Sequence, residues 1–109
     1  MKLNVYSDPG HGWAAVPLAL LQRLALLDRI TPYSYMRGKY AYLEEDCDLD
    51  TFMSAARAAG LAVEFRQYVS GYRRSRIRNY CSYHPGVARV WLQNAREIKQ
   101  LTRGQAAVL

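Results

Sequence analysis

The sequence lacks most of the features that make a function easy to read. It has only two cysteines, Cys47 and Cys81, in 109 residues, too few for a disulfide framework. Its longest apolar run, Trp13 to Leu21, is about half the roughly 20 residues that a membrane span requires, and Arg23 follows closely. Met1-Lys2-Leu3-Asn4-Val5 runs straight into a turn, Asp8-Pro9-Gly10, where a secretory leader would place its apolar segment. These absences predict a cytoplasmic protein with no membrane attachment and with both cysteines as reduced thiols. There is no P-loop, dinucleotide fingerprint or HExxH pattern, and no zinc-finger spacing, ribonucleoprotein aromatic signature or helix-turn-helix. Low-complexity stretches are missing too. Apolar and aromatic residues make up 50% of the chain, enough for the core of one domain, and the length leaves little room for a second.

Acid is nearly absent from the C-terminal part. Residues 1–65 carry six basic and eight acidic residues (−2), whereas residues 66–109 carry nine and one (+8), giving the net +6. Four arginines fall in Tyr72-Arg73-Arg74-Ser75-Arg76-Ile77-Arg78-Asn79-Tyr80, downstream of the acidic stretch Glu44-Glu45-Asp46-Cys47-Asp48-Leu49-Asp50. A chain divided in this way can steer a polyanion or an acidic partner to one surface.

Hydrophobic spacing predicts the order β-β-α-β-β-α-β-β-α. Leu3 to Tyr6 and Trp13 to Val16 read as short strands around the turn at 8–12, and Pro17 opens a helix carried by Leu18, Leu21, Leu24 and Leu26 to about Asp28. A hairpin pairs Tyr33–Met36 with Lys39–Leu43 across Arg37-Gly38. Asp48 or Asp50 caps a second helix that Gly60 ends. Leu61 to Val69 alternates, with Leu61, Val63, Phe65 and Val69 inward, and Ser70-Gly71 turns it into a partner strand over 74–83. A last helix starts near Val87 with Val87, Val90, Trp91, Asn94, Ile98 and Leu101 at helical spacing. The expectation is a single α+β domain over 1–103, of which 84–103 form a C-terminal helix, and a frayed tail over 104–109. Its sheet is antiparallel or mixed, built from hairpins, with helices mainly on one face.

On that reading Arg74, Arg76, Arg78 and Tyr80 share one face of a strand, with Arg66 and Tyr68 across the hairpin and Tyr72 and Arg73 at its turn. Guanidinium forks suit phosphate and tyrosine rings suit unpaired bases, so these eight residues form the candidate binding site. A solvated face that keeps a sheet edge from aggregating is the plainer alternative. The tyrosines of the 33–42 hairpin read either as a stabilising cross-strand ladder or as a flat binding surface. Asp46, Asp48 and Asp50 have the spacing of the first ligands of a calcium loop, but Thr51 and Arg57 occupy the positions that need Gly and Glu, so no metal and no cofactor is expected. Cys47 lies among carboxylates that weaken it as a nucleophile, and Cys81 is placed on the core face. His11, between two glycines, is the one residue with a catalytic look and the only foothold for the alternative of an enzyme of unknown class; the chain is read as non-enzymatic.

Gly10-His11-Gly12-Trp13, Thr31-Pro32-Tyr33-Ser34-Tyr35, Tyr42-Leu43-Glu44-Glu45-Asp46-Cys47-Asp48 and Ser75-Arg76-Ile77-Arg78-Asn79-Tyr80 resemble a family of short, functionally uncharacterised proteins carried by bacteriophages and plasmids. The resemblance spans about residues 3–83 and implies an accessory protein of a mobile element, working in the cytoplasm of a bacterial host. It supplies no catalytic or binding residues. Two functions are compatible with it: binding and inhibiting a host protein or nucleoprotein complex, as an anti-defence factor does, or binding nucleic acid directly. The opposed charges also allow the acidic stretch of one molecule to meet the basic segment of another in a salt-sensitive homodimer.

Overall fold

An alternating strand and an almost fully buried one, both within the first 17 residues, build the centre of a sheet. In the computed structural model, which describes residues 1–95, β1 (Lys2–Ser7) and β2 (Gly12–Pro17) pair antiparallel, with Val5 opposite Ala14 and Tyr6 opposite Trp13. β2 then pairs with β4 (Tyr40–Glu44), and β4 with β3 (Tyr35–Arg37). The β3–β4 turn is Gly38-Lys39, one residue later than predicted, because Gly38 adopts the left-handed φ of 60° that such turns favour. β5 (Glu64–Val69) lies parallel to β1, and the two-residue β6 (Cys81–Ser82) caps β3, giving the order β5-β1-β2-β4-β3-β6. This is a mixed sheet in an α+β fold.

One sheet face is the core. Leu3, Val5, Ala14, Val16, Met36, Ala41 and Leu43 point to the side covered by α1 (Leu18–Arg23), α2 (Asp48–Ala58) and α3, which occupies residues 85–95 of the described chain. Leu18, Leu21, Phe52, Ala56 and Ala88 fill that layer, each large side chain stabilising the fold by roughly 1.5–3 kcal/mol through burial. No helix among the described residues is long and apolar enough to cross a membrane.

Several local expectations are corrected. α1 ends at Arg23 rather than near Asp28, because Ala25 takes a left-handed φ of 57° and sends Leu26 and Leu27 into the core from a loop. The cap of α2 is Cys47, without a side-chain hydrogen bond, while the Asp48 carboxylate turns inward. Within α3 the buried stripe is Ala88 with Trp91 and Leu92 packed alongside, whereas Val87 and Val90 are exposed. The expected helix beyond residue 95 and the tail over 104–109 lie outside the described residues.

The largest difference concerns the last two strands. They form no hairpin with each other: β5 and β6 sit at opposite edges of the sheet. Residues 70–80 instead cross from one edge to the other as a strap, ending in a 3-10 turn, Arg76–Asn79. Val69, expected inside, is 75% exposed, and Cys81 is exposed at the β6 edge rather than in the core.

Candidate nucleic-acid interface and the neighbouring cleft

The sheet face turned away from the helices carries Tyr6, Trp13, Ala15, Tyr35, Tyr42, Glu44, Arg66 and Tyr68, as the registers require. Parallel pairing sets Tyr6 directly beside Tyr68, and their rings stack at 5.3 Å. Tyr6 reaches Tyr42 at 6.5 Å, Tyr42 reaches Tyr80 of the strap at 5.1 Å, and the Arg37 guanidinium lies over the Tyr80 ring at 5.0 Å. Four rings therefore run in a row from the β5 edge to the strap. Burial, with the neighbouring Tyr80 and Tyr6, pushes the Tyr42 phenol above its usual pKa, so it stays neutral at physiological pH.

The strap is fastened to the same face by Arg78. Its Nε donates to Asp8 Oδ2 at 2.7 Å and its Nη2 to Oδ1 at 2.9 Å, while the guanidinium stacks over Trp13 at 5.3 Å. Asp8 also accepts backbone N–H groups from Gly10, His11 and Ser75 at 2.8–3.1 Å. The hydrogen-bonded Arg78 first, then these backbone donors, hold its carboxyl well below the usual carboxylate range despite burial, and Asp8 in turn raises the Arg78 pKa. Gly10 is needed here because a Cβ would come within 2.8 Å of the Arg78 guanidinium. Ile77 is buried in the 3-10 turn that ends the strap.

The predicted site residues thus separate into two groups. Arg74, Arg76, Arg78 and Tyr80 do not share a strand face, since no strand forms there. Arg78 is a structural clamp, and Tyr80 joins the tyrosine row. Arg66 and Tyr68 stand on the open face of β5, and Tyr72, Arg73, Arg74 and Arg76 project from the strap, Tyr72 being 86% exposed. Among the described residues the side chains of Arg66, Arg73, Arg74 and Arg76 have no acidic partner. Tyr6 and Trp13 were not foreseen as part of this surface, and Tyr35 and Tyr42, read from the hairpin as either a ladder or a flat binding surface, were not joined to the arginine segment, because the order of the strands was not visible.

The acidic stretch is not one exposed patch. Glu45, Asp46 and Asp50 face solvent, whereas Asp48 is 1% exposed and Glu44 is also buried. Asp48 accepts from the backbone N–H and hydroxyl of Thr31 at 2.8–3.1 Å and from the Ser34 hydroxyl, which itself accepts the Glu44 N–H at 3.0 Å. The calcium-loop spacing is thereby broken, with Asp48 facing inward. Glu44 is held instead by His11, whose Nδ1 lies 3.1 Å from Oε1, and by the Asp46 N–H at 2.9 Å from Oε2.

His11, Trp13, Tyr33, Tyr35, Glu44, Asp46, Cys47 and Arg78 line a cleft of about 320 Å³ at this end of the sheet. Each belongs to one of the four fragments 10–13, 31–35, 42–48 and 75–80, which the fold gathers from distant parts of the chain. His11 therefore has a carboxylate partner that sequence spacing did not reveal. Compared with protein-family models, curated proteins and solved structures, the chain shows no match.

Proposed function

We propose that the protein is a non-enzymatic binding module that docks single-stranded nucleic acid on the open face of its sheet. The observation that carries this reading is the row Tyr68-Tyr6-Tyr42-Tyr80, flanked by Arg66 and Arg37 and by the strap residues Arg73, Arg74 and Arg76, which have no acidic partner among the described residues. Tyrosine rings on a flat sheet suit splayed bases, which a duplex does not present, while guanidinium groups beside them suit the phosphate backbone. In a mobile element such a module would act against a host nucleic-acid-handling complex by occupying the strand that the complex needs.

The test is fluorescence anisotropy with a labelled single-stranded oligonucleotide and its duplex. Single strands bind more tightly, and Tyr68→Ala weakens that binding by roughly 5- to 150-fold, corresponding to about 1–3 kcal/mol per stacked base. Equal affinity for the duplex, or an unaffected Tyr68→Ala variant, would overturn the reading.

A further inference from the structure

The cleft beside the strap holds a cluster that the tyrosine row does not use. One nitrogen of His11 and one carboxylate oxygen each from Glu44 and Asp46 lie within 4.8 Å of one another. From these residues we infer a divalent-cation site, formed by His11, Glu44 and Asp46 and taking a first-row ion such as Mn²⁺ or Zn²⁺.

The donor set selects the ion class. One imidazole and two carboxylates are nitrogen and oxygen ligands, which suit manganese, iron and zinc, while calcium takes six to eight oxygens. Metal–ligand bonds of roughly 2.0–2.2 Å bring adjacent donors to about 3 Å; His11 Nδ1 and Glu44 Oε1 are already 3.1 Å apart, so Asp46 is the ligand that has to close in. His11 and Asp46 are exposed and can rotate inward, while Glu44, with its side chain 12% exposed, is anchored by the Asp46 N–H. Electrostatics favour a cation: Glu44 and Asp46 contribute two negative charges, and the one cationic side chain lining the cleft, Arg78, is neutralised by Asp8. Three protein ligands leave coordination positions open to the cleft.

A second observation points to an occupant. Trp13 lines the same cleft, its ring 6.1 Å from that of His11, and it is 2% exposed. Its indole Nε1 is the only buried side-chain polar atom among the described residues without a hydrogen-bond partner. A buried donor left unmet costs about 1–3 kcal/mol, so this N–H calls for an oxygen from outside the chain. A cation that brings water or an oxyanion into the cleft supplies one.

Mn²⁺ titration followed by NMR tests the inference on the intact protein. One saturable ion should broaden the resonances of His11, Glu44, Asp46 and the Trp13 indole N–H, and leave the Trp91 indole sharp. His11→Ala and Asp46→Asn, both at exposed positions, should each weaken binding at least 10-fold, while Cys81→Ser, at an exposed position outside the cleft, should leave it unchanged. Broadening spread over all surface carboxylates, or equal affinity in the His11 and Asp46 variants, would overturn the site. Nucleic-acid affinity without added metal is not the readout, so either claim can fail alone.

Discussion

Ile77→Ala isolates the strap from the rest of the fold. Ile77 is 3% exposed but stands apart from the helix-side core, on the opposite sheet face from Leu21 or Phe52. Truncating a buried isoleucine costs about 2–5 kcal/mol, and the low end applies here because a surface strap can settle into the space that is left. A local loss of about 2 kcal/mol raises the open population of the strap roughly 30-fold. Hydrogen exchange reads this directly: the Ser75 N–H, bonded to Asp8, and the Tyr80 N–H, bonded to the Ile77 carbonyl, should exchange about 30-fold faster. The paired amides of β2 and β4 should be unchanged as long as they open through a different, larger unfolding event. Equal acceleration in the strap and in the central strands would mean that the strap is part of the main cooperative unit. No acceleration at all would mean that Ile77 does not anchor it.

Asp8 and Tyr83 make opposite predictions at the two ends of the pH scale. Asp8 has a depressed folded pKa, so its contribution is present above about pH 4 and is lost as pH falls below; Asp8→Asn should flatten the acid limb of a stability–pH profile. The buried Tyr83 phenol, donating to the Leu27 carbonyl at 2.5 Å, is pushed up to about 12, so its contribution is complete below pH 10 and fades between pH 10 and 12. Tyr83→Phe should remove that alkaline loss while costing about 1 kcal/mol at pH 7, measured by urea unfolding. Ser34→Ala deprives Asp48 of one donor and the Glu44 N–H of its acceptor, and should destabilise by about 1–3 kcal/mol in the same assay.

The fold was legible where a pattern is local. In the hairpin, Tyr35 and Tyr42 alternate with Met36 and Ala41, which take the inward face, and the order of the first four strands and two helices follows from turns at Asp8–Gly12 and Gly38. What alternation does not encode is which strand becomes whose neighbour. Glu64–Val69 reads as one half of a hairpin, yet it pairs parallel with β1, because α2 returns the chain to the start of that strand. That choice freed residues 70–80 to cross the sheet, turned Arg78 into a clamp and brought Tyr68 beside Tyr6. The arginines were visible as a charge run, but their division into one clamp and three with no acidic partner among the described residues depends on Asp8, 70 residues away from Arg78. The His11–Glu44–Asp46 cluster was hidden for the same reason: β2 and β4 had to become neighbours, which the loops between them do not announce.

The salt dependence of oligonucleotide binding tests the central claim most directly. Each phosphate contact to a single strand contributes about 0.7 to the slope of log affinity against log salt. Replacing Arg66, Arg73, Arg74 and Arg76 together with alanine leaves the Asp8–Arg78 clamp intact, and should lower that slope by roughly 2–3 units without unfolding the protein. An unchanged slope in a folded variant would contradict the assignment of this face as the nucleic-acid interface.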